Sequence, residues 1–146
     1  RLSETSIKGL VLFNRFYSPD IDTDKFEITS GSVLSSPGDL SLSLRWIAIM
    51  SERVSCDLAA STGVHDGAAL IKQLLAGSSA VQIVSAIYMH GGERIAEMLP
   101  DLESWMDRHG FAGIDDFRGK MSQGKSDNPA AYERVQFIKY FRGFTG

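Results

Sequence analysis

The stretch 57–88 limits the possible folds most, because short apolar runs alternate there with small-residue turns and one helical segment. Asp57–Ala60 is a short apolar run, and residues 61–64 form a turn with little side-chain bulk. Residues 67–76 place leucine and isoleucine at helical spacing. A second apolar, β-branched run follows at 81–84. Strand, helix and strand in this order predict a βαβ unit with parallel strands.

The two turns that follow these strands, 61–64 and 84–86, leave backbone N–H groups uncovered. Such donors can hold a phosphate group, and (β/α)₈ barrels often bind phosphate in the loops after their last two strands. The hydroxyl groups of Ser61, Thr62 and Ser85 could add further donors. A turn of this kind is more often structural than ligand-binding, so both interpretations stay open on this pattern alone.

The run 10–13 predicts a third parallel strand, buried on both faces. Asn14 and Arg15 follow it directly, at the end of a parallel strand where ligands bind. Asn14 offers both a hydrogen-bond donor and an acceptor, but it is also a common turn residue. Arg15 could recognise an anionic group or form a surface salt bridge.

The rest of the chain predicts further elements from local signals. Asp39 is a plausible N-cap, and Gly77 and Gly110 stand where helices would end. The predicted elements are a hairpin of 26–28 with 32–34, helices at 40–54, 93–108 and 114–121, and a last helix at 130–141 after Pro129.

Composition argues against several functions. The 146 residues suffice for one ordinary domain, and the net charge of −3 argues against a nucleic-acid partner. No apolar run approaches the roughly 18 residues of a membrane span, so no membrane partner is expected.

The single Cys56 excludes an internal disulfide and predicts a reducing, cytoplasmic location. We expect it to be a buried structural thiol. The three histidines are too scattered for a metal site. His65 lies beside the predicted phosphate turn and could act on it electrostatically, but it is expected on the surface.

Several short motifs follow one another along the chain. Two of them lie upstream, at residues 11–17 and 19–22. The others are Thr62-Gly63-Val64, Ala76-Gly77, Val81-Gln82-Ile83, Ser85-Ala86, Glu103-Ser104-Trp105-Met106, His109-Gly110-Phe111 and Asp116-Phe117-Arg118-Gly119-Lys120. In this order, the motifs resemble the C-terminal end of the dihydroorotate dehydrogenase family, in particular its dihydroorotate dehydrogenase-like branch. The resemblance covers nearly the whole chain, without large gaps.

This resemblance implies an α/β fold, namely the C-terminal portion of a TIM (β/α)₈ barrel. It would have about three parallel strands with flanking helices and a C-terminal helical extension. Residues 1–122 would supply strands 6–8 of the FMN-binding barrel, and 123–146 the extension. Because a whole barrel has about 250 residues, we expect an N-terminal part of the same barrel to complete it. A small complete domain is the alternative.

The resemblance also implies the cofactor FMN and the oxidation of a small substrate, dihydroorotate or an analogue, in pyrimidine biosynthesis. Backbone N–H groups of Thr62, Gly63, Val84 and Ser85 would hold the FMN phosphate. Asn14 would face flavin and substrate. Arg15 stands where the family usually has a small hydroxyl residue, and its cation could instead contact a different anionic substrate. No catalytic residue is expected in this chain, because the family's catalytic base lies on an upstream loop.

Residues in two turns or loops also depart from the family. Thr62 stands where the family usually has glycine, and a β-branched residue resists positive φ, so the turn is expected to differ. Ser35 and Ser36 replace glycines that approach the flavin, so direct flavin contact is not expected from their loop.

Two other functions fit the same residues. A barrel isomerase or lyase could use the phosphate site for a phosphorylated substrate without flavin. A non-catalytic fragment could self-associate through exposed strand edges, and a homo-oligomer is expected in any case.

Overall fold

The computed structural model describes residues 2–16 and 18–133. Its strands and α-helices are β1 (Gly9–Leu12), β2 (Pro19–Asp22), β3 (Glu27–Ser30), α1 (Leu40–Met50), β4 (Asp57–Ala60), α2 (Gly67–Ala76), β5 (Ala80–Val81), α3 (Ser85–His90) and α4 (Glu93–His109). Short 3₁₀ helices lie at Leu2–Glu4, Pro37–Asp39, Ile114–Asp116 and Pro129–Tyr132.

A parallel sheet with the strand order β1-β4-β5 forms the centre of the fold. Leu10 and Leu12 of β1 lie beside Leu58 and Ala60 of β4 in register. These side chains pack against a buried cluster that also includes Ile47 of α1. The predicted α/β fold with three parallel strands and flanking helices is therefore confirmed, including the unit β4–α2–β5.

The sheet is not covered on both faces, however. Val11, which alternates with the leucines of β1, is 47% exposed, so the prediction of a strand buried on both faces is wrong. The strand expected at 81–84 is also shorter, because only Ala80 and Val81 pair with β4. Since β4 ends at Ala60, whose carbonyl accepts from the Gln82 N–H, the ladder stops there.

Two helices match their predicted positions. Helix α2 spans Gly67–Ala76 as expected, and Gly77 ends it with φ +116°. The Asp66 carboxylate accepts from the Ala69 N–H at 2.7 Å and caps the helix. Helix α4 runs one residue beyond the predicted 93–108 and ends at Gly110. Local capping signals were sufficient for these two helices.

The hairpin has a different partner strand from the predicted one. Strand β3 pairs antiparallel with Pro19–Asp22 rather than with residues 32–34. The Asp22 carboxylate accepts from the N–H groups of Asp24 and Lys25, so the turn closes at 23–26.

Three predicted helices are shorter in the structure, are replaced by a 3₁₀ turn, or lie partly outside the described residues. Helix α1 ends at Met50 instead of residue 54. Within 114–121 only a 3₁₀ turn forms, because the N–H groups of Gly119 and Met121 donate to the carbonyls of Leu74 and Leu75 in the last turn of α2. For the helix expected at 130–141, the structure has a 3₁₀ turn at Pro129–Tyr132, and residues 134–146 lie outside the described residues.

The segment after residue 121 continues to pack on the sheet domain. The Gln123 N–H donates to the Ala48 carbonyl, and the Arg45 Nε donates to the Tyr132 carbonyl at 2.7 Å. Across the described ranges, no helix has both the length and the apolar character of a membrane span. Cys56 is partly exposed at the start of β4 rather than fully buried, which corrects the expectation of a buried thiol.

Candidate functional site

A pocket of about 230 Å³ lies where the three parallel strands end. Segments that follow β1, β4 and β5 form it, and the loop after β3 closes one side. Every residue that the sequence analysis predicts for the site lines this pocket: Asn14, Arg15, Thr62, Gly63, Val84 and Ser85. The carboxyl ends of parallel strands meet at one edge of a sheet, which explains why distant segments converge. Their roles in binding stay predictions.

The turn after β4 has two consecutive residues with positive φ. Thr62 has φ +79° and Gly63 has φ +81°. Thr62 therefore takes the positive φ that a β-branched residue resists. The Thr62 hydroxyl donates to the Phe13 carbonyl at 3.0 Å and ties the turn to the end of β1. The hydrogen of this hydroxyl is therefore used in a bond to the backbone, while Thr62 also lines the pocket.

Gly63 has a packing reason to be glycine. A Cβ at this position would lie 2.2 Å from the backbone N of Leu40 and 2.6 Å from its Cα. The turn therefore packs directly against the first residue of α1, and only glycine fits.

Ser35 joins the two predicted phosphate turns. Its buried Oγ accepts from the Gly63 N–H at 3.2 Å and donates to Ser85 Oγ at 3.0 Å. The Ser35 N–H also donates to Ser85 Oγ, at 2.9 Å. Sequence reasoning did not include Ser35 among the site residues; the available signal was a serine standing where the family has glycine.

His65 is buried, so its predicted surface position is wrong. Only 7% of the residue is exposed, and its Nε2 lies 3.3 Å from Ser35 Oγ. The His65 carbonyl accepts from the Arg94 Nε at 3.0 Å, which ties this segment to α4. A histidine next to a turn of small residues becomes buried here because the loop carrying Ser35 folds over it.

Asn14 and Arg15 border two pockets. The Asn14 Oδ1 accepts from the Arg15 N–H at 3.0 Å, and the Arg15 guanidinium donates to the Ser32 carbonyl. Both residues also line a neighbouring pocket of about 240 Å³, together with Asp39. Arg15 is thus a link between the end of β1 and the loop after β3 as well as a border of the site.

Asp39 does not act as the predicted N-cap of α1, because it has helical φ and ψ and its side chain makes no such bond. Its carboxylate instead accepts from the Ser36 N–H at 2.7 Å and from the Ser36 hydroxyl at 3.0 Å. The backbone hydrogen bond from Ser36 is the main cause that lowers the pKa of Asp39, against the opposing effect of burial. The Ser36 hydroxyl, Arg15 and His65 lower this pKa further.

The described lining of the 230 Å³ pocket carries one positive charge and no negative one. None of the described residues that line it is acidic, although the whole chain carries a net charge of −3. Arg15 contributes a positive charge, and serine hydroxyls contribute donors. No group of three or more metal-binding side chains occurs within residues 2–16 and 18–133.

Comparisons with known proteins agree with this architecture. The solved structure of DHODH from Eimeria tenella in complex with ferulenol matches with a TM-score of 0.64 and 20% identity, over 81% of this chain and 32% of that one. Ligand-free DHODH from the same organism matches with a TM-score of 0.54 and 21% identity, over 58% of this chain and 24% of that one. At such identities the likeness shows the fold.

One curated relative shares sequence as well. Dihydropyrimidine dehydrogenase (NADP(+)), chloroplastic, of Arabidopsis thaliana is 33% identical over 61 residues, which are 42% of this chain and 14% of that protein. No protein-family model matches the chain. The chain spans only a minor part of each of these relatives.

Fold and site together define an α/β protein with the architecture of part of a TIM (β/α)₈ barrel and a pocket at its strand ends. The resemblance to the dihydroorotate dehydrogenase family is confirmed by these likenesses, and the proteins it resembles are oxidoreductases.

Proposed function

We propose that this chain is the C-terminal part of an FMN-dependent oxidoreductase that resembles dihydroorotate dehydrogenase. The whole protein would oxidise dihydroorotate or an analogue by hydride transfer to flavin. This chain would hold the FMN phosphate and border the substrate with Asn14 and Arg15. An N-terminal part of the same barrel would complete the site and supply the catalytic base.

One observation carries the proposal: the turns after β4 and β5 meet at a single oxygen atom, Ser35 Oγ. Gly63 of the first turn donates its N–H to this oxygen, and the oxygen donates to Ser85 Oγ of the second turn. The Gly63 N–H is therefore already occupied by Ser35 Oγ. This junction holds the two turns together at the edge of the pocket, where the Ser85 hydroxyl and Arg15 would be the donors to a phosphate.

The hydrogen bonds of Ser85 support the same ligand. Ser85 Oγ accepts from both the N–H and the hydroxyl of Ser35. A serine oxygen accepts two hydrogen bonds and donates one, so the remaining capacity of Ser85 is as a donor. Since Ser85 lines the 230 Å³ pocket, its hydroxyl hydrogen can be donated to a phosphate oxygen there.

The size and chemistry of the pocket fit a phosphate group and its adjoining atoms. A volume of about 230 Å³ is below the range of roughly 300–1,000 Å³ that whole ligand pockets occupy, so the flavin ring would extend beyond it. A bound flavin would supply the hydride acceptor. The residues of this chain would bind the phosphate and orient the cofactor, with the Ser85 hydroxyl as a donor and Arg15 as the positive charge.

The remaining parts of the proposal follow from the same resemblance and from composition. We propose a cytoplasmic protein of pyrimidine biosynthesis that forms a homo-oligomer. Nucleic acid is not proposed as a partner, since the net charge is −3.

The test is flavin binding by the full-length protein. We expect bands of oxidised flavin in its visible absorption spectrum as purified. After removal of the cofactor, FMN should bind about 10–100 times more tightly than riboflavin, which lacks the phosphate, because hydrogen bonds to charged groups contribute about 1.5–3 kcal/mol. Ser85→Ala should reduce this preference.

Ser79→Ala is the matched control, because the Ser79 hydroxyl donates to Asp57 Oδ1 at the opposite end of the strands. A colourless protein that takes up no added FMN would refute the proposal. If the same protein still bound inorganic phosphate, a flavin-free isomerase or lyase would be the better assignment.

A further inference from the structure

The hydrogen bonds around Ser35 leave one position on its hydroxyl for His65. A serine hydroxyl donates one hydrogen bond and accepts two. Ser35 Oγ donates to Ser85 Oγ and accepts from the Gly63 N–H. Its remaining acceptor position faces His65 Nε2 at 3.3 Å, where a protonated Nε2 would donate to it.

A proton on Nε2 is present in one neutral tautomer of histidine and also in the imidazolium ion. His65 can therefore gain a positive charge at Nδ1 without breaking its bond to Ser35. Histidine is also the side chain whose ordinary charge change falls between pH 5 and 8. The buried network thus has a group that can adjust its charge to that of a ligand.

The charged groups around His65 come from three segments of the fold. Asp39, directly before α1, is influenced electrostatically by His65 and by Arg15. Arg94 of α4 donates to the His65 carbonyl and pairs with Glu97. The neighbouring Asp66 is exposed, and its carboxylate caps α2.

We propose that His65 is a positioning residue that acts through Ser35 and makes phosphate binding at this pocket coupled to proton uptake. This inference rests on the proposed function, because it concerns the same phosphate site. His65 lies behind Ser35 and is not among the described residues that line the pocket. Its charge therefore acts on a ligand across Ser35 and not by direct contact. An anion in the pocket favours the imidazolium ion, and the imidazolium ion favours the anion.

The direction of the pH dependence follows from this coupling. Affinity for a phosphate dianion is highest where His65 is protonated and falls as the pH rises. Below about pH 6 the phosphate itself takes up a proton, so the informative range lies above that value. We expect the affinity for FMN to fall about tenfold between about pH 6.5 and 8.5. This change is at the low end of the effect that a nearby opposite charge has, because Ser35 lies between His65 and the phosphate.

The experiment measures FMN and riboflavin binding to the full-length protein by flavin fluorescence across this pH range. Calorimetry in buffers of different ionisation enthalpy counts the protons taken up. For the wild type, we expect proton uptake with FMN and none with riboflavin. His65→Gln should bind FMN with a much flatter pH dependence, while the matched control His109→Gln, on an exposed residue of α4, should behave like the wild type.

Ser35→Ala provides a second test that leaves His65 in place, and it should also flatten the pH dependence. Circular dichroism checks that each variant is folded. If both His65→Gln and Ser35→Ala keep the wild-type pH dependence while FMN is still preferred over riboflavin, the inference is overturned and the proposed function stands. If the wild type does not prefer FMN over riboflavin, the proposed function fails and the inference fails with it.

Discussion

The close approach of the turn after β4 to helix α1 predicts that Gly63→Ala is strongly destabilising. Two separate effects contribute. Gly63 has φ +81°, where an L-residue with a Cβ is strained. The new Cβ would also lie 2.2 Å and 2.6 Å from backbone atoms of Leu40. Backbone cannot rotate away as a flexible side chain can, so the helix or the turn must move.

The expected magnitude is the sum of these effects. Left-handed backbone costs a residue with a Cβ about 1–2 kcal/mol, and overpacking commonly costs about 1–3 kcal/mol. Gly63→Ala should therefore lower the free energy of unfolding by about 2–5 kcal/mol. This is a large share of the stability of an ordinary domain, which is about 5–15 kcal/mol.

Gly110→Ala is the matched control. Gly110 also has a left-handed backbone, with φ +69°, but an added Cβ would meet no described atom within 4 Å. This variant should lose only the conformational part, about 1–2 kcal/mol. The measurement is urea unfolding of both variants and the wild type, followed by circular dichroism. The reasoning is refuted if Gly63→Ala costs no more than Gly110→Ala.

Two further predictions concern Asp39 and Gln73. Because the folded state lowers the pKa of Asp39, its carboxylate contributes stability above the ordinary aspartate pKa of about 3.9, and this contribution is lost as the pH falls through the lowered value. Urea unfolding should therefore show the advantage of the wild type over Asp39→Asn shrinking below about pH 4; an advantage that stays constant down to about pH 2 would contradict this. The side-chain amide of Gln73 is fully buried and has no hydrogen-bond partner among the described residues. Gln73→Met should raise the free energy of unfolding by about 1–2 kcal/mol, and a less stable variant would show that the amide is satisfied in solution.

The helices with the best agreement between sequence and structure are those whose signals are local. Helix α2 has both bounds as predicted, because apolar spacing and Gly77 suffice to define it. The predicted partner strand of β3 is wrong, because pairing depends on which strand the turn at 23–26 brings back. The segment 114–121 has the pattern of a helix, but its N–H groups satisfy the carbonyls of α2 instead.

The residues of the candidate site also include some that the sequence predicts and some that it does not. The convergence of Asn14, Gly63 and Ser85 was predictable, because parallel strands bring their carboxyl ends to one edge of the sheet. The contributions of Ser35 and His65 were missed. Neither residue has a local pattern that marks it as buried, and both are covered only because a long loop folds back across the strand ends.

The sequence alone determined the order of β1, α1, β4, α2, β5 and α4 and the chemical character of the strand ends, because periodicity, capping residues and small-residue turns act over a few neighbouring positions. Only the tertiary structure decided which face of β1 is covered and which hydroxyl meets the Gly63 N–H. It also decided that Thr62 takes positive φ, with its hydroxyl bound to the Phe13 carbonyl. These outcomes depend on contacts between residues far apart in the chain, whose energies no local pattern contains.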